Sequence, residues 1–533
     1  MSKERDVAHL WALAGTIEQG GDPGRIRRAY EDIVARDPVQ AGAWLKLSQL
    51  SLHEGDYRDA LNAALRAAEA AQFGRRWRAL PYVASQLLHF DERARVSVLI
   101  RAADWASPEV LAQSAVLAQR LWLAGDDETA LALLDFAIAR LPAHPLLHFS
   151  RGEVLNHLGR LGEAEAEYER SLELEPLFAQ SHRALAYGIP SAEPGARVPR
   201  VEAALAAAIA AGRAEDEVDL RYALFKELDG AGRVDEAWRQ LQAAAALRRH
   251  RQGHGAEADA AGAAALIGAC GASAEPGPAA PGGHRRGHIF VVGMPRSGTT
   301  VLDRMLGNHP LVGSAGELNA FARSVSWEAN SFYEPPPREK PIRRMARLDW
   351  RAVGTRYAAA TRGMHPDKPY LLDKNPLNVH NAGFIARALP QARILCLLRD
   401  PMDACFSNLK ALFAKGSYTY SYDQRELAEH YARFLRLVRH WEDVLPDRFR
   451  TVRYEALVNS PEQVLGDAMR FCGLEYDPAY ADITRNPTPV ATASRAQVRQ
   501  PLNRRGIGAW RRYERQLQPL RQRLRELGVE IDG

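Results

Sequence analysis

Cysteine is scarce in this chain of 533 residues, and what there is stands apart: Cys270, Cys396, Cys405 and Cys472 form no C-x-x-C pair and no cluster with histidine. That spacing argues against a disulfide framework and a zinc site, and fits a reducing compartment. Long apolar runs are missing too. The longest charge-free stretch near the middle, between Asp259 and Glu275, is 15 residues of mostly Ala and Gly, too short and too weakly apolar to span a bilayer. Met1 to Asp6 are charged and lead into an amphipathic segment, so no secretory leader is expected. No dense block of Lys or Arg is present. The formal charge of +5 and pI near 9.0 are a mild excess that a phosphorylated small ligand accounts for. The expectation is a cytoplasmic protein without a membrane span, a nucleic-acid partner or a bound metal.

What is present divides into two grammars. From Val7 to about Arg249 the chain is rich in Ala, Leu, Arg and Glu at helical spacing. Gly162 to Pro176 reads GEAEAEYERSLELEP and Asp126 to Pro142 reads DDETALALLDFAIARLP, which places Ala164 and Ala130 34 residues apart, and Pro176 and Pro142 likewise. Ile26 and Ala60 repeat the offset of 34, as do Ala203 and Ala237, while Ala94 to Ala130 drifts to 36. These offsets resemble the tetratricopeptide repeat, in which a small residue lets paired helices approach and a terminal Pro ends the second. The resemblance implies an all-α solenoid over residues 1–250 whose curved face grips a partner or a polymeric substrate.

Residues 251–287 are dominated by Gly, Ala and Pro and read as a linker. Beyond it come short runs of apolar and β-branched residues, His288 to Val292, Tyr370 to Asp373, Arg393 to Leu398 and Phe449 to Arg453, separated by helical stretches. That alternation predicts an α/β domain over residues 288–533, a parallel sheet with helices on both faces.

The first of these runs opens HIFVVGMPRSGTTVLDRML, a strand, a glycine loop and an amphipathic helix. Such a loop turns backbone N–H groups inward and adds the helix N-terminus, so it suits an anion. In the nucleotide-hydrolase loop a Lys follows the second Gly and reaches the terminal phosphates. Here that position is Thr299. The octapeptide Gly293 to Thr300 resembles the phosphosulfate-binding loop of sulfotransferases, and its Arg296 is like that of the protein-tyrosine members. The resemblance implies a P-loop-like sulfotransferase fold and 3'-phosphoadenosine 5'-phosphosulfate as donor, held by Pro295, Arg296, Ser297, Gly298, Thr299 and Thr300.

Further segments agree with it. Arg399 and Ser407, in RILCLLRDPMDACFSNLK, resemble the family's 3'-phosphate site, with Ser407 expected near the start of a helix; an Arg fork and a hydroxyl at a strand end suit a dianion. Arg504, Arg505 and Gly506, in RRGIGAW, are similar to a family segment that closes over the same phosphate, with Arg in place of the usual Lys at 505. Tyr454, in an R-Y-E segment followed by Asn459 and Pro461, resembles the tyrosine bordering adenine, and Ser494 corresponds to a serine near the transferring group.

Sulfuryl transfer places attacking and leaving oxygens in line and needs cationic groups and a base. The resemblance implies Glu317, in GSAGELNAF, as the base, Lys374, in YLLDKNP, as the cation on the leaving oxygen, and Arg296 on the transferring group. The acceptor it implies is a hydroxyl, tyrosine of a peptide or protein first among the candidates, with glycans, lipids and small phenols beside it. Two other readings compete: an ATP-dependent kinase or hydrolase, disfavoured by the missing loop Lys, and a repeat-based scaffold with a non-catalytic nucleotide-binding domain.

Overall fold

The computed structural model describes residues 2–271, 286–345, 347–414, 416–486 and 500–531. They form two compact units, Met1–Glu175 with Val325–Tyr333, and Pro176–Ser324 with Glu334–Gly533. Compactness thus divides the chain at 175/176, whereas the shift in composition lies at 251–287. Inside that shift, Ala256–Ala269 is a helix; there Gly262 lies so close to the Pro337 carbonyl that a Cβ would approach its oxygen to 2.2 Å.

The first unit is built of helix hairpins. Ala41–Glu54 and Tyr57–Phe73 are joined through Gly55, whose φ of 82° ends the first helix, and Asp56, whose side chain caps the second by accepting from the Asp59 N–H. Pro145–Leu158 and Leu161–Leu174 repeat the device through Gly159, with φ 87°. Such two-residue connections fold paired helices antiparallel. The small residues of the sequence period sit where the helices touch: Ala60, Ala130 and Ala164 are fully buried. Gly152 is tighter still, because a Cβ there would lie 2.6 Å from the ring of Tyr168. The segment Val325–Tyr333 belongs to this unit, with Phe332 stacked on His89 at 4.2 Å, the Arg58 side chain donating to the Trp327 carbonyl and the Arg58 backbone N–H donating to Asn330 Oδ1.

The second unit holds the helices Ala179–Gly188, Val198–Ala210, Ala214–Gly230 and Val234–Gln252, and then the sheet. Its strands are β1 (Gly287–Gly293), β2 (Val312–Ser314), β3 (Tyr370–Lys374), β4 (Arg393–Leu398) and β5 (Phe449–Arg453), all parallel, in the order β2-β3-β1-β4-β5. The central strand is apolar on both faces: Ile289 and Val291 pack with Leu302, Leu372, Leu395 and Leu397, while Phe290 meets Phe321 and Tyr357 on the other side. Double burial of this kind is what a parallel sheet under two helix layers requires. From β1 the chain runs first to β2 and β3 on one side and then to β4 and β5 on the other. The C-terminal ends of β1, β3 and β4 therefore face a switch point, where open sheets of this class hold ligands.

Gly152→Ala is expected to destabilise the first unit by about 1–3 kcal/mol through overpacking, read as a lowered thermal midpoint; an unchanged midpoint contradicts the close helix approach.

Candidate functional site

Everything at the switch point starts from the loop after β1. Its second glycine, Gly298, has φ 101° and caps the helix Thr299–Gly307. A Cβ at Gly298 would stand 2.5 Å from the Tyr454 ring, so both the left-handed backbone and the space demand glycine. Arg296 also adopts a positive φ, 65°, a conformation that side-chain-bearing residues hold only where surroundings enforce it. Ser297 is buried and its hydroxyl has no hydrogen-bond partner among the described residues. A buried hydroxyl without a partner beside a helix N-terminus marks a place for an acceptor oxygen.

Cations gather on the same loop. Arg399 follows β4 and donates through Nη1 to the Arg296 carbonyl at 2.9 Å and through Nη2 to the Gly506 carbonyl, with its guanidinium 4.9 Å from the centre of the Tyr454 ring. Burial, with Arg399 beside it, pushes Arg296 down to about 10. Burial also pushes Lys410 down to about 8, against the pull of Asp229 and with Lys226, Arg399 and Arg296 adding to the depression. Three like charges sharing one partly buried space favour an anionic ligand between them.

Two side chains fasten the segments around these cations. Asn408 donates to the Pro295 carbonyl at 2.8 Å, tying the loop to the helix Pro401–Leu409. Asp403, on that helix, accepts from the Gly508 N–H at 2.6 Å and the Trp510 N–H at 3.1 Å. Gly506 is thereby pressed against Arg399 and Tyr454, and a Cβ on it would lie 3.1 Å from Arg399 Nη2. Ser407 is buried in the last turn of its helix rather than near the start, because the helix begins at Pro401, directly after Asp400 caps it.

On the other side of β1, Lys374 ends β3 fully buried and donates from Nζ to Glu317 Oε1 at 2.5 Å; Glu317 itself is 44% exposed. The loop carrying Glu317 is fixed to the strand by the Lys374 N–H, which donates to the Gly316 carbonyl, and by Asn375, which donates to the Leu318 carbonyl. The pair thus has one buried cationic end and one carboxylate end that reaches the surface. Burial raises Asp303 nearby, opposed by Lys374 and by a 2.6 Å hydrogen bond from Ser314.

The structure brings Pro295 to Thr300, Glu317, Lys374, Arg399, Ser407, Tyr454 and Gly506 to the C-terminal edge of the sheet. Arg504 and Arg505 are exposed beside Gly506, and Ser494 lies outside the described residues. Asp403, Asn408 and Lys410 did not emerge from the sequence. The backbone partners of Asp403 and Asn408 stand 105 to 113 residues away, and no local spacing announces such a contact. Among the described residues, no group of three or more His, Cys, Asp or Glu could hold a metal ion, and no helix is long and apolar enough to cross a membrane.

The chain is similar to known proteins in both of its parts. Residues 288–478 match the sulfotransferase family, and residues 18–75 and 116–181 match the tetratricopeptide repeat. The chain therefore carries tetratricopeptide repeats followed by a sulfotransferase-family domain. An uncharacterized protein of Aquifex aeolicus (strain VF5) is 31% identical over 252 residues, 45% of this chain and 33% of that one. Protein-tyrosine sulfotransferase 2 of Gallus gallus is 24% identical over 238 residues, 42% of this chain and 62% of that one. The chain thus spans from a third to three-fifths of the length of these relatives. Among solved structures, the sulfotransferase domain of the Synechococcus PCC 7002 olefin synthase covers 48% of this chain and 100% of that domain at 19% identity, with a TM-score of 0.34.

Lys410 is charged below about pH 8 and neutral above it, so affinity for inorganic pyrophosphate is expected to fall as pH rises through that value. Calorimetry of wild type and Lys410→Met checks this. A wild-type affinity as flat across pH 8 as that of the variant contradicts the placement of Lys410 in the cation cluster.

Proposed function

We propose that this chain transfers a sulfuryl group from 3'-phosphoadenosine 5'-phosphosulfate to an acceptor hydroxyl, with a tyrosine of a peptide or protein as the acceptor. The observation that carries the reading is the loop after β1. It has Thr299 where triphosphate-cleaving loops have Lys, and its cations are Arg296 and Arg399, fastened to each other through a backbone carbonyl. The proposed division of labour follows the domains: repeats over 1–250 grip the acceptor, 251–287 joins them to the transferase domain, and 288–533 carries out the chemistry. The four cysteines are free and buried, in keeping with a cytoplasmic setting.

In this reading the N–H groups and hydroxyls of Ser297, Thr299 and Thr300 bind the 5' side of the donor, with Arg296 on the transferring group. Arg399, Ser407 and the Gly506 segment, with Arg504, Arg505 and Ser494 from the flanking stretches, bind the rest, and Tyr454 borders the base. Glu317 takes the proton of the acceptor hydroxyl as its oxygen bonds to sulfur. The bond from sulfur to the phosphate oxygen breaks, and Lys374 offsets the charge left on that oxygen. No metal is needed, because a single phosphosulfate lacks the adjoining phosphates that a magnesium ion clamps.

A transfer assay with labelled donor and a tyrosine peptide tests this. Glu317→Ala is expected to lower turnover about 10²–10⁴-fold and Lys374→Ala or Arg296→Ala about 10²–10³-fold. Because removing Glu317 also leaves Lys374 buried without its partner, Glu317→Gln serves as the folded control and shares the loss. Wild-type turnover in folded Glu317→Gln and Lys374→Ala removes both from the mechanism.

A further inference from the structure

The helix Pro401–Leu409 carries Ser407 and Asn408 in its last turn, and the carbonyls at such a helix end have no partner within the helix. Here they are met from outside. Tyr222 donates its hydroxyl to the Leu409 carbonyl at 3.3 Å and Tyr187 donates to the Lys410 carbonyl at 3.0 Å, while in the loop beyond the helix Arg248 donates to the Phe413 carbonyl at 3.2 Å. All three donors stand on helices that precede the change in composition, Ala179–Gly188, Ala214–Gly230 and Val234–Gln252. Burial holds both tyrosine hydroxyls far above the usual phenol range, so they are neutral donors at any physiological pH.

The second arm of the site is held by the same helices. Asp229 accepts from Tyr513 Oη at 2.8 Å and from Arg512 at 3.1 Å, and Asp235 accepts from Arg515 at 2.6 Å and Gln516 at 2.9 Å. These contacts fasten the stretch directly after Gly506–Trp510, whose other side is held by Asp403. The Tyr513 ring lies 5.0 Å from Phe406 of the helix Pro401–Leu409 and 5.9 Å from Trp238. One aromatic column therefore joins the Ser407 helix, the Gly506 segment and the last repeat-type helices.

We infer that these helices are a working part of the donor site, with Tyr187, Tyr222 and Asp229 as positioning residues that hold the Ser407 helix end and the Gly506 segment against Arg399. The inference rests on reading that site as the donor site. It assigns the C-terminal part of the repeat region a task separate from gripping an acceptor. It also explains why compactness places residues 176–252 with the sheet: the anion site is incomplete on the sheet domain alone.

The test uses the full chain, 3'-phosphoadenosine 5'-phosphate as ligand, calorimetric Kd, steady-state kinetics and the thermal midpoint. Asp229→Ala is expected to weaken bisphosphate binding about 10- to 100-fold, since the lost hydrogen bonds involve a charged partner, and Tyr187→Phe and Tyr222→Phe about 3- to 10-fold each. Donor KM rises with Kd while acceptor KM stays, and Asp229→Asn, which keeps an acceptor oxygen for Tyr513, recovers part of the loss. Arg151→Ala, which breaks ion pairs to Asp135 and Glu167 in the first unit, leaves Kd unchanged. Should Asp229→Ala fail to fold, the two hydroxyl deletions decide the matter. Tight wild-type binding with Tyr187→Phe and Tyr222→Phe unchanged overturns this inference alone. A wild-type protein that does not bind the bisphosphate overturns the donor-site reading and the inference with it.

Discussion

The fork of Arg399 is the interaction on which the site depends. One guanidinium joins the carbonyl of Arg296 in the loop after β1 to the carbonyl of Gly506 near the C-terminus, spanning 103 residues in one direction and 107 in the other. Spending its donors on carbonyls, Arg399 makes no ion pair among the described residues. Its charge is therefore held in place without being neutralised. The Tyr454 ring beneath it both supports the guanidinium and fills the space that a side chain at position 298 would occupy.

That arrangement carries an electrostatic strain with a direction. Arg296, Arg399 and Lys410 repel one another, and the N-terminus of the helix Thr299–Gly307 adds a further positive end. Burial sharpens the repulsion, since charges removed from water interact more strongly. Preorganised positive groups of this kind stabilise an anion and its developing charge without reorganising when it arrives. The neighbouring Lys374 and Glu317 differ in character: a buried cation already paired to an exposed carboxylate. The two arrangements meet because β1 lies between β3 and β4, so that chain topology sets Lys374 and Arg399 on the strand ends to either side of the loop after β1.

Local chemistry made much of this legible in the sequence. The glycine loop declares itself because phosphate-type binding needs small residues in a fixed short order, and strands β3, β4 and β5 declare themselves as short runs of apolar and β-branched residues. Arg399 was legible through the resemblance of its segment to a family phosphate site, together with its place at a strand end. The strand β2, only Val312–Ser314, offers too few residues for any alternation to show. The helix Ala256–Ala269 hides in a stretch whose Ala and Gly read as a linker, because it packs through small residues: Gly262 lies against the Pro337 backbone and Leu266 is its buried large side chain. Asp403 and Asn408 were invisible for a different reason: their work is hydrogen bonding to backbone groups far along the chain, which no spacing encodes. The same holds for Tyr187, Tyr222 and Asp229, which periodicity assigns to repeat helices and packing assigns to the site.

The most direct test of the central claim is calorimetric competition at the loop after β1, titrating wild-type protein with 3'-phosphoadenosine 5'-phosphate alone and with ATP plus magnesium. The account predicts tight binding of the bisphosphate without metal and weak or absent binding of magnesium-ATP. Preference for magnesium-ATP, or no binding of the bisphosphate, contradicts it.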